Sequence, residues 1–148
     1  MAKRIKDHSH VVIINDLGEV LCVSRKDDFN DFGLPGGKIE KSDENPETAG
    51  IREVKEETGI DIHSMILLYA EHRRGSMGYT YLATSWSGEI SHDEPHVAKW
   101  GTFCELVDGK YGEWNLKVFR SYSDLRKTKK YKKLINSLDG KDERESKD

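Results

Sequence analysis

Residues 36–60 constrain the fold more than any other segment, because they predict a helix that carries three glutamates on one face. Glu53, Glu56 and Glu57 stand at positions i, i+3 and i+4, which share a face at about 100° per residue. Like charges at this spacing destabilise a helix by about 0.2–0.5 kcal/mol per pair, so helix propensity does not account for the arrangement. A cation bound above this face would account for the arrangement. Clustered carboxylate oxygens suit Mg²⁺, with Mn²⁺ as the alternative. The segment therefore predicts a helix that holds a divalent cation.

The ends of this helix are also predictable. Asn45 is a favourable N-cap residue, and Pro46 fits the first helical position. Gly59 is expected to end the helix, because glycine adopts the left-handed conformation of a C-cap without strain.

The residues before the acidic face are small. Ala49 and Gly50 lie three to four positions before Glu53, and we interpret them as leaving room for a metal and a phosphate group. Ile51 and Val54 lie on the opposite side and are expected to pack on a sheet.

This segment resembles the signature of the Nudix hydrolases, which is Gly, five residues, Glu, seven residues, then Arg-Glu-apolar-x-Glu-Glu-x-Gly-apolar. Gly37 matches the first glycine, and residues 52–60 match the second half without a departure. Seven residues separate Glu44 from Arg52, as the pattern asks, but six residues instead of five separate it from Gly37. Asp43 would restore the first spacing and lengthen the second to eight. We assign Glu44, which keeps the helical half in register.

The resemblance implies an α/β protein with the Nudix fold, a mixed β-sheet sandwiched between α-helices. The length of the chain fits a single Nudix hydrolase domain at residues 1–138. The mixed charge of residues 139–148 predicts a disordered C-terminal tail. The resemblance also implies a Mg²⁺-dependent enzyme in which water attacks a phosphorus of a nucleoside diphosphate linked to another moiety. Divalent cations neutralise the pyrophosphate oxygens and lower the pKa of a bound water.

By the same resemblance, Glu56 and Glu57 are the principal metal ligands, and Glu53 is a further ligand or the catalytic base. The carbonyl of Gly37 is a further metal ligand. In the family, an arginine at the position of Arg52 pairs with glutamates and orients them.

Three more assignments concern the support and completion of the metal site. Glu44 is the expected structural partner of Arg52, while the alternative for Arg52 is a surface ion pair of little value. Glu94 lies six residues before Trp100. MutT-type members carry a glutamate in a similar loop, so Glu94 is expected to complete the metal site or to act as the base.

Candidate substrate-binding residues lie outside the signature. Arg25 ends a predicted strand where family members often carry a basic residue that reaches the substrate. Lys38 could meet outer phosphates, and Tyr81 is one of several aromatic residues that could stack on a base. Most aromatic residues in a chain of this size belong to the core.

The favoured substrate is a (d)NTP, cleaved to a (d)NMP and pyrophosphate as in MutT-like enzymes. The alternatives are ADP-ribose, a dinucleoside polyphosphate and a 5′-capped RNA. A non-catalytic nucleotide sensor with the Nudix fold is the alternative from another class, although such sensors tend to lose the glutamates that are present here.

The composition of the chain limits the classes of molecule that it is expected to bind. The 148 residues carry a net charge of −3, which implies no general affinity for nucleic acid or acidic membranes. Six of the eight residues at 126–133 are basic; we interpret them as a solvated helix end, with RNA binding as the alternative. No uncharged apolar run reaches about 18 residues, which favours a cytoplasmic protein without a membrane segment. The oligomeric state stays open, with a homodimer among the options.

Two cysteines, Cys22 and Cys104, are expected to be reduced thiols in the core.

Apolar runs between turn residues predict strands at 10–14, 19–25, 60–71, 79–86 and 97–103, the first two joined as a hairpin. Helical spacing of apolar residues predicts a helix from about Trp114.

Overall fold

The computed structural model describes residues 6–91 and 97–133. Within these ranges the chain forms seven strands and three helices, in the order β1 (His8–Val12), β2 (Val20–Ser24), β3 (Phe32–Gly33), β4 (Gly36–Lys38), α1 (Pro46–Thr58), β5 (Asp61–Arg73), β6 (Ser76–Ser87), β7 (Ala98–Gly101), α2 (Phe103–Val107) and α3 (Gly112–Arg126). The predicted domain end at residue 138 and the tail at 139–148 lie outside the described residues.

The strands form two sheets. One has four strands in the order β4-β1-β6-β5, and the other has three in the order β3-β2-β7. The pairing of β1 with β6 is parallel, whereas β4 pairs with β1, and β5 with β6, in the antiparallel sense. The sheet is therefore mixed, as predicted.

Two apolar cores lie on opposite faces of the strands. Successive side chains of a strand point to opposite faces, and β1 shows this alternation. Val11 joins Val54 of α1 in one core, whereas Val12 joins Val118 of α3 in the other. Helix α1 thus covers one face and α3 the other, which confirms the predicted sandwich of a mixed sheet between helices.

The predicted hairpin of the first two strands is only partly correct. The turn forms, with the side-chain oxygen of Asn15 accepting from the backbone N–H groups of Leu17 at 3.1 Å and Glu19 at 2.9 Å. Beyond the turn, the pairing is limited to an isolated bridge between Ile14 and Val20, because β1 and β2 continue into different sheets.

The remaining predicted elements are present. β5 and β6 form a long hairpin whose register runs from Asp61 opposite Ser87 to Arg73 opposite Ser76. The predicted strand at 97–103 is shorter than expected, because α2 begins at Phe103. No helix within the described ranges is long and apolar enough to cross a membrane.

One cysteine prediction is wrong. Cys22 is buried, and burial raises the pKa of its thiol to about 12. Cys104 is exposed, because the short helix α2 turns Leu106 inward and Cys104 outward.

Candidate active site

Helix α1 begins and ends where the sequence predicts. The side chain of Asn45 accepts a hydrogen bond from the backbone N–H of Thr48 at 2.8 Å, and Pro46 occupies the first turn. Gly59 caps the C-terminus with φ 82°. These local signals fix the length of the helix and therefore the positions of its glutamates.

The interpretation of Ala49 and Gly50 as room for metal and phosphate is wrong. Both residues are buried, and a Cβ atom on Gly50 would lie 2.9 Å from Ser9 Oγ and 3.1 Å from Val11 Cγ2. Ser9 also donates a hydrogen bond to the carbonyl of Pro46 at 2.6 Å. The small residues therefore let α1 approach β1.

Strand β4 brings two glycines against the acidic side of α1. The N–H of Gly36 donates to Glu57 Oε1 at 2.8 Å. A Cβ atom on Gly37 would lie 2.7 Å from the carboxyl carbon of Glu53. Gly36 has φ 151°, and a Cβ atom there would lie 2.3 Å from the carbonyl oxygen of Ser9. Only glycine fits at position 36, and a side chain at position 37 would displace the Glu53 carboxylate. The result is a close contact between the β4 backbone and two carboxylates.

The carboxylates have perturbed acidities. Burial raises the pKa of Glu57 to about 8, and the nearby charges of Glu53 and Glu56 add to the rise. The hydrogen bond from the N–H of Gly36 acts in the opposite direction and lowers this pKa. Burial also raises the pKa of Glu53, although Arg52 opposes the change. Carboxyl groups are thus crowded in a partly shielded place, where a bound cation would stabilise their charged forms.

Arg52 holds these acids in place. Its Nη1 donates to Glu53 Oε1 at 3.1 Å and lies 3.3 Å from Glu56 Oε2, which matches the predicted role in orienting glutamates. Its Nε and Nη2 each donate to Asp43 at 3.0 Å, in a bidentate pair. The side chain of Asp43 is only 3% exposed, so this is not a weak surface pair.

The partner of Arg52 is therefore Asp43, and the assignment of Glu44 as its structural support is wrong. Glu44 is exposed, whereas Asp43 also accepts the backbone N–H of Glu40 at 2.8 Å. The extra residue of the signature lies after Asp43. The spacing of five residues from Gly37 to Asp43 was the signal that could have identified it.

The donor set is compatible with Mg²⁺ or Mn²⁺. Glu53, Glu56, Glu57 and the carbonyl of Gly37 are all oxygen donors, which hard cations prefer. Among residues 6–91 and 97–133, no three His, Cys, Asp or Glu side chains are already arranged as a metal-ligand set. The guanidinium of Arg52 lies between Glu53 and Glu56, so cation binding requires these side chains to reorient.

Three of the other predicted site residues, Arg25, Lys38 and Glu94, do not belong to the acidic cluster of α1. Arg25 follows β2 and forms ion pairs with Asp27 at 2.8 Å and Asp31 at 3.3 Å. Lys38 ends β4 with its side chain exposed. Contact of either residue with substrate stays a prediction. Glu94 lies outside the described residues.

Tyr81 was wrongly assigned to substrate binding. It is 3% exposed, and its hydroxyl donates to Glu47 Oε1 at 3.1 Å. Tyr81 faces the core because it lies on β6 between β1 and β5 and its side chain points towards α1.

Comparison with known proteins agrees with this geometry. The NUDIX domain family model matches residues 6–122. The chain is 33% identical over 100 residues to a MutT-like protein of Streptomyces ambofaciens, covering 66% of this chain and 64% of that relative. It is 40% identical over 58 residues to an RNA pyrophosphohydrolase of Marinomonas sp. (strain MWYL1), covering 39% of this chain and 35% of that relative. The chain thus spans less than two thirds of the length of either relative.

A solved structure agrees as well. The crystal structure of a MutT NUDIX hydrolase from Burkholderia pseudomallei superposes with a TM-score of 0.62 and 29% identity, covering 76% of this chain and 95% of that one. This chain belongs to the NUDIX domain family.

Proposed function

We propose that this protein is a Mg²⁺-dependent hydrolase that cleaves the pyrophosphate bond of a nucleoside diphosphate-X substrate. The observation that carries the proposal is the acidic cluster of α1, held by Arg52 and pressed against the β4 backbone at Gly36 and Gly37. Keeping this cluster is costly, because burial disfavours the charged forms of Glu53 and Glu57 and the neighbouring carboxylates add to the cost at Glu57. A site that binds cations and polyphosphate gives a physical reason to retain it.

In this proposal Glu53, Glu56, Glu57 and the Gly37 carbonyl hold the metal. When bound, Mg²⁺ neutralises pyrophosphate oxygens and lowers the pKa of a bound water. The chain itself supplies orientation: Arg52 holds Glu53 and Glu56, and the N–H of Gly36 holds Glu57.

A carboxylate of the cluster accepts the proton of the attacking water. Glu53 and Glu57 both suit this role, because burial raises their pKa towards neutrality. Glu94 is the alternative base. Water adds to phosphorus and the bridging oxygen leaves, so one (d)NTP and one water give one (d)NMP and one pyrophosphate.

The proposed substrate is a (d)NTP. The MutT-like relative and the fold favour it. Two cationic residues support it: Arg25 directly follows β2, and Lys38 ends β4, the strand that contacts the acidic cluster. An RNA end is the second candidate, favoured by the relative named an RNA pyrophosphohydrolase. A basic segment at the end of α3 supports it, with six exposed cations at Arg126, Lys127, Lys129, Lys130, Lys132 and Lys133.

The test is hydrolysis of a substrate panel with Mg²⁺, with products resolved by mass. The panel contains dNTPs, NTPs, ADP-ribose, diadenosine polyphosphates and RNA with triphosphate or capped ends. We expect monophosphate and pyrophosphate from a (d)NTP. Preference for an RNA end would move the substrate to the second candidate. Binding without hydrolysis across the panel would contradict the proposal and favour a nucleotide sensor.

A further inference from the structure

The end of α3 carries positive charge that the proposed active site does not use. Six of the eight residues at 126–133 are basic, and all six side chains are exposed. The whole chain has a net charge of −3, so the chain without these six charges has a net charge of −9. An acidic protein thus concentrates a quarter of its 24 Lys and Arg residues in one short basic segment.

The cations of the basic segment are not neutralised by their neighbours. Among the described residues, every ion pair involves other side chains. Asp124 is exposed on α3 three positions before Lys127, and the two form no ion pair. The Arg126 guanidinium lies 5.6 Å from the centre of the Tyr122 ring, which leaves its charge without a carboxylate. The segment therefore differs from an ordinary solvated surface, on which both signs of charge are mixed.

The dipole of α3 accounts for only two of the six cations. Arg126 is the last residue of α3 and Lys127 is its C-cap, where positive charge is favourable. The chain then becomes helical again at 129–133. The hydroxyl of Thr128 accepts the backbone N–H of Tyr131 at 3.2 Å, as an N-cap residue does. The segment thus contains the end of one helix and the start of another.

The charges of the second helical stretch destabilise it. Lys129 and Lys130 lie in its first turn, where positive charge is unfavourable. Lys132 and Lys133 stand three and four positions after Lys129, so their charges repel that of Lys129. Neither the dipole nor the spacing of the side chains accounts for four lysines here, whereas a bound polyanion would.

Tyr131 holds the second helical stretch on the core. Its ring meets Tyr122 edge to face with centroids 6.4 Å apart, and it packs against the apolar core on the α3 side. The lysines on both sides of Tyr131 are exposed, so the fold presents them together to solvent. Because the tyrosine faces the core, residues 126–133 offer no apolar side chain to a lipid layer, which basic membrane-surface helices require. Nucleic acid can be bound through its phosphates by cations alone.

We propose that residues 126–133 form a binding surface for the phosphate backbone of a nucleic acid chain. A chain with many phosphates engages several unpaired lysines at once, and each neutralised phosphate releases counterions. The surface is separate from the acidic cluster, because α3 covers the sheet face opposite α1. The inference goes beyond the proposed function, since binding requires no hydrolysis. If the substrate is an RNA end, the same surface holds the rest of the RNA chain.

The test uses a fluorescein-labelled oligouridylate of about 12 nucleotides with a 5′-hydroxyl end, which has no pyrophosphate bond to cleave. Fluorescence anisotropy gives its binding constant between about 50 and 200 mM salt. With six cations engaged, the logarithm of the binding constant should fall against the logarithm of salt concentration with a slope of about −4, at about 0.7 per cation.

A quadruple variant removes the charges that the dipole of α3 does not explain: Lys129→Gln, Lys130→Gln, Lys132→Gln and Lys133→Gln. Its slope should be about −1.4, and its binding at about 0.1 M salt should be weaker by tenfold or more. Lys132→Gln alone should change the slope by about 0.7. Turnover of a dNTP should be unchanged in both variants, because the segment does not belong to the acidic cluster.

The matched control loses the same total charge at four exposed cations that form no ion pairs among the described residues and are spread over the surface: Lys41→Gln, Arg74→Gln, Lys110→Gln and Arg120→Gln. Its slope and affinity should stay near the wild type. An equal loss of binding in the control and the quadruple variant would overturn the inference, because only net charge would matter.

Absence of oligouridylate binding to the wild type would also overturn the inference. Binding to phosphatidylserine vesicles without binding to the oligouridylate would overturn it in favour of a membrane surface. Equal binding of an oligothymidylate would support it, because backbone phosphates are common to both chains. A protein that cleaves nothing in the substrate panel but binds the oligouridylate with the expected slope would refute the proposed function and support the binding surface.

Discussion

Replacing Asp43 by asparagine tests which acid supports Arg52. The carboxylate of Asp43 accepts two hydrogen bonds from Arg52, each 3.0 Å long, and one from the N–H of Glu40 at 2.8 Å. Asparagine keeps the shape but has a single acceptor oxygen, so its amide nitrogen must face a donor of Arg52 or the N–H of Glu40.

The magnitude follows from the loss of one charge-assisted hydrogen bond. Such a bond contributes about 1.5–3 kcal/mol, and the Arg52 side chain, at 29% exposed, can recover part of this by contact with water. We therefore expect Asp43→Asn to lower the free energy of unfolding by about 2 kcal/mol at pH 7. Turnover should also fall, because Arg52 no longer holds Glu53 in one orientation.

The assay is urea unfolding of the wild type, Asp43→Asn and Glu44→Gln, with turnover measured on the same preparations. Glu44→Gln is the matched control, because Glu44 is exposed and should change stability by less than about 0.5 kcal/mol. The hydrogen bond from Arg52 lowers the pKa of Asp43. The stabilisation is therefore present above the ordinary pKa of an aspartate and is lost as pH falls through the lowered value. If Glu44→Gln costs as much as Asp43→Asn, the assignment of Asp43 is refuted.

Two further perturbations test the surroundings of the acidic helix. Gly50→Ala should destabilise the protein by about 1–3 kcal/mol in urea unfolding, because the new Cβ would overlap Ser9 and Val11; a gain of about 1 kcal/mol, as expected from helix propensity alone, would contradict the packing of α1 on β1. The pKa of Glu57, raised to about 8, means that the folded protein holds a proton that the unfolded chain has lost between about pH 5 and 8. Without metal, stability should therefore fall as pH rises across this window, and Glu57→Gln should remove most of that fall in urea unfolding with EDTA; an equal slope in both proteins would refute the raised pKa.

The sequence predicted features that depend on near neighbours. Asn45, Pro46 and Gly59 set the ends of α1 because capping is a property of a few adjacent residues. The contact of Arg52 with Glu56 follows from their spacing of four on the helix. These features needed no knowledge of the rest of the chain.

Features that depend on distant segments were missed. The small Gly50 was assigned to the metal because nothing in the sequence indicates that β1 passes 41 residues upstream at Ser9. Tyr81 was one of several aromatic candidates for substrate binding, because the sequence does not indicate which face of β6 is buried.

The hydrogen bond between Asp31 and Lys110, 79 positions apart, also could not be predicted from the sequence. It depends on a backbone N–H at Lys110, and any residue type except proline offers such a group. The inserted loop residue gave two spacings for the acid of the signature, and only the bidentate pair with Arg52 decided in favour of Asp43.

The most direct test of the central claim is the rate of monophosphate release from a dNTP as a function of Mg²⁺ concentration, for the wild type, Glu56→Gln, Glu57→Gln and Glu44→Gln. The account predicts a rate that saturates with Mg²⁺ and vanishes in EDTA. It also predicts losses of roughly 100-fold or more in Glu56→Gln and Glu57→Gln, as for other groups that stabilise transition-state charge, with circular dichroism unchanged and Glu44→Gln near the wild type. Near-full activity in either Glu56→Gln or Glu57→Gln, or a rate independent of Mg²⁺, would contradict the account.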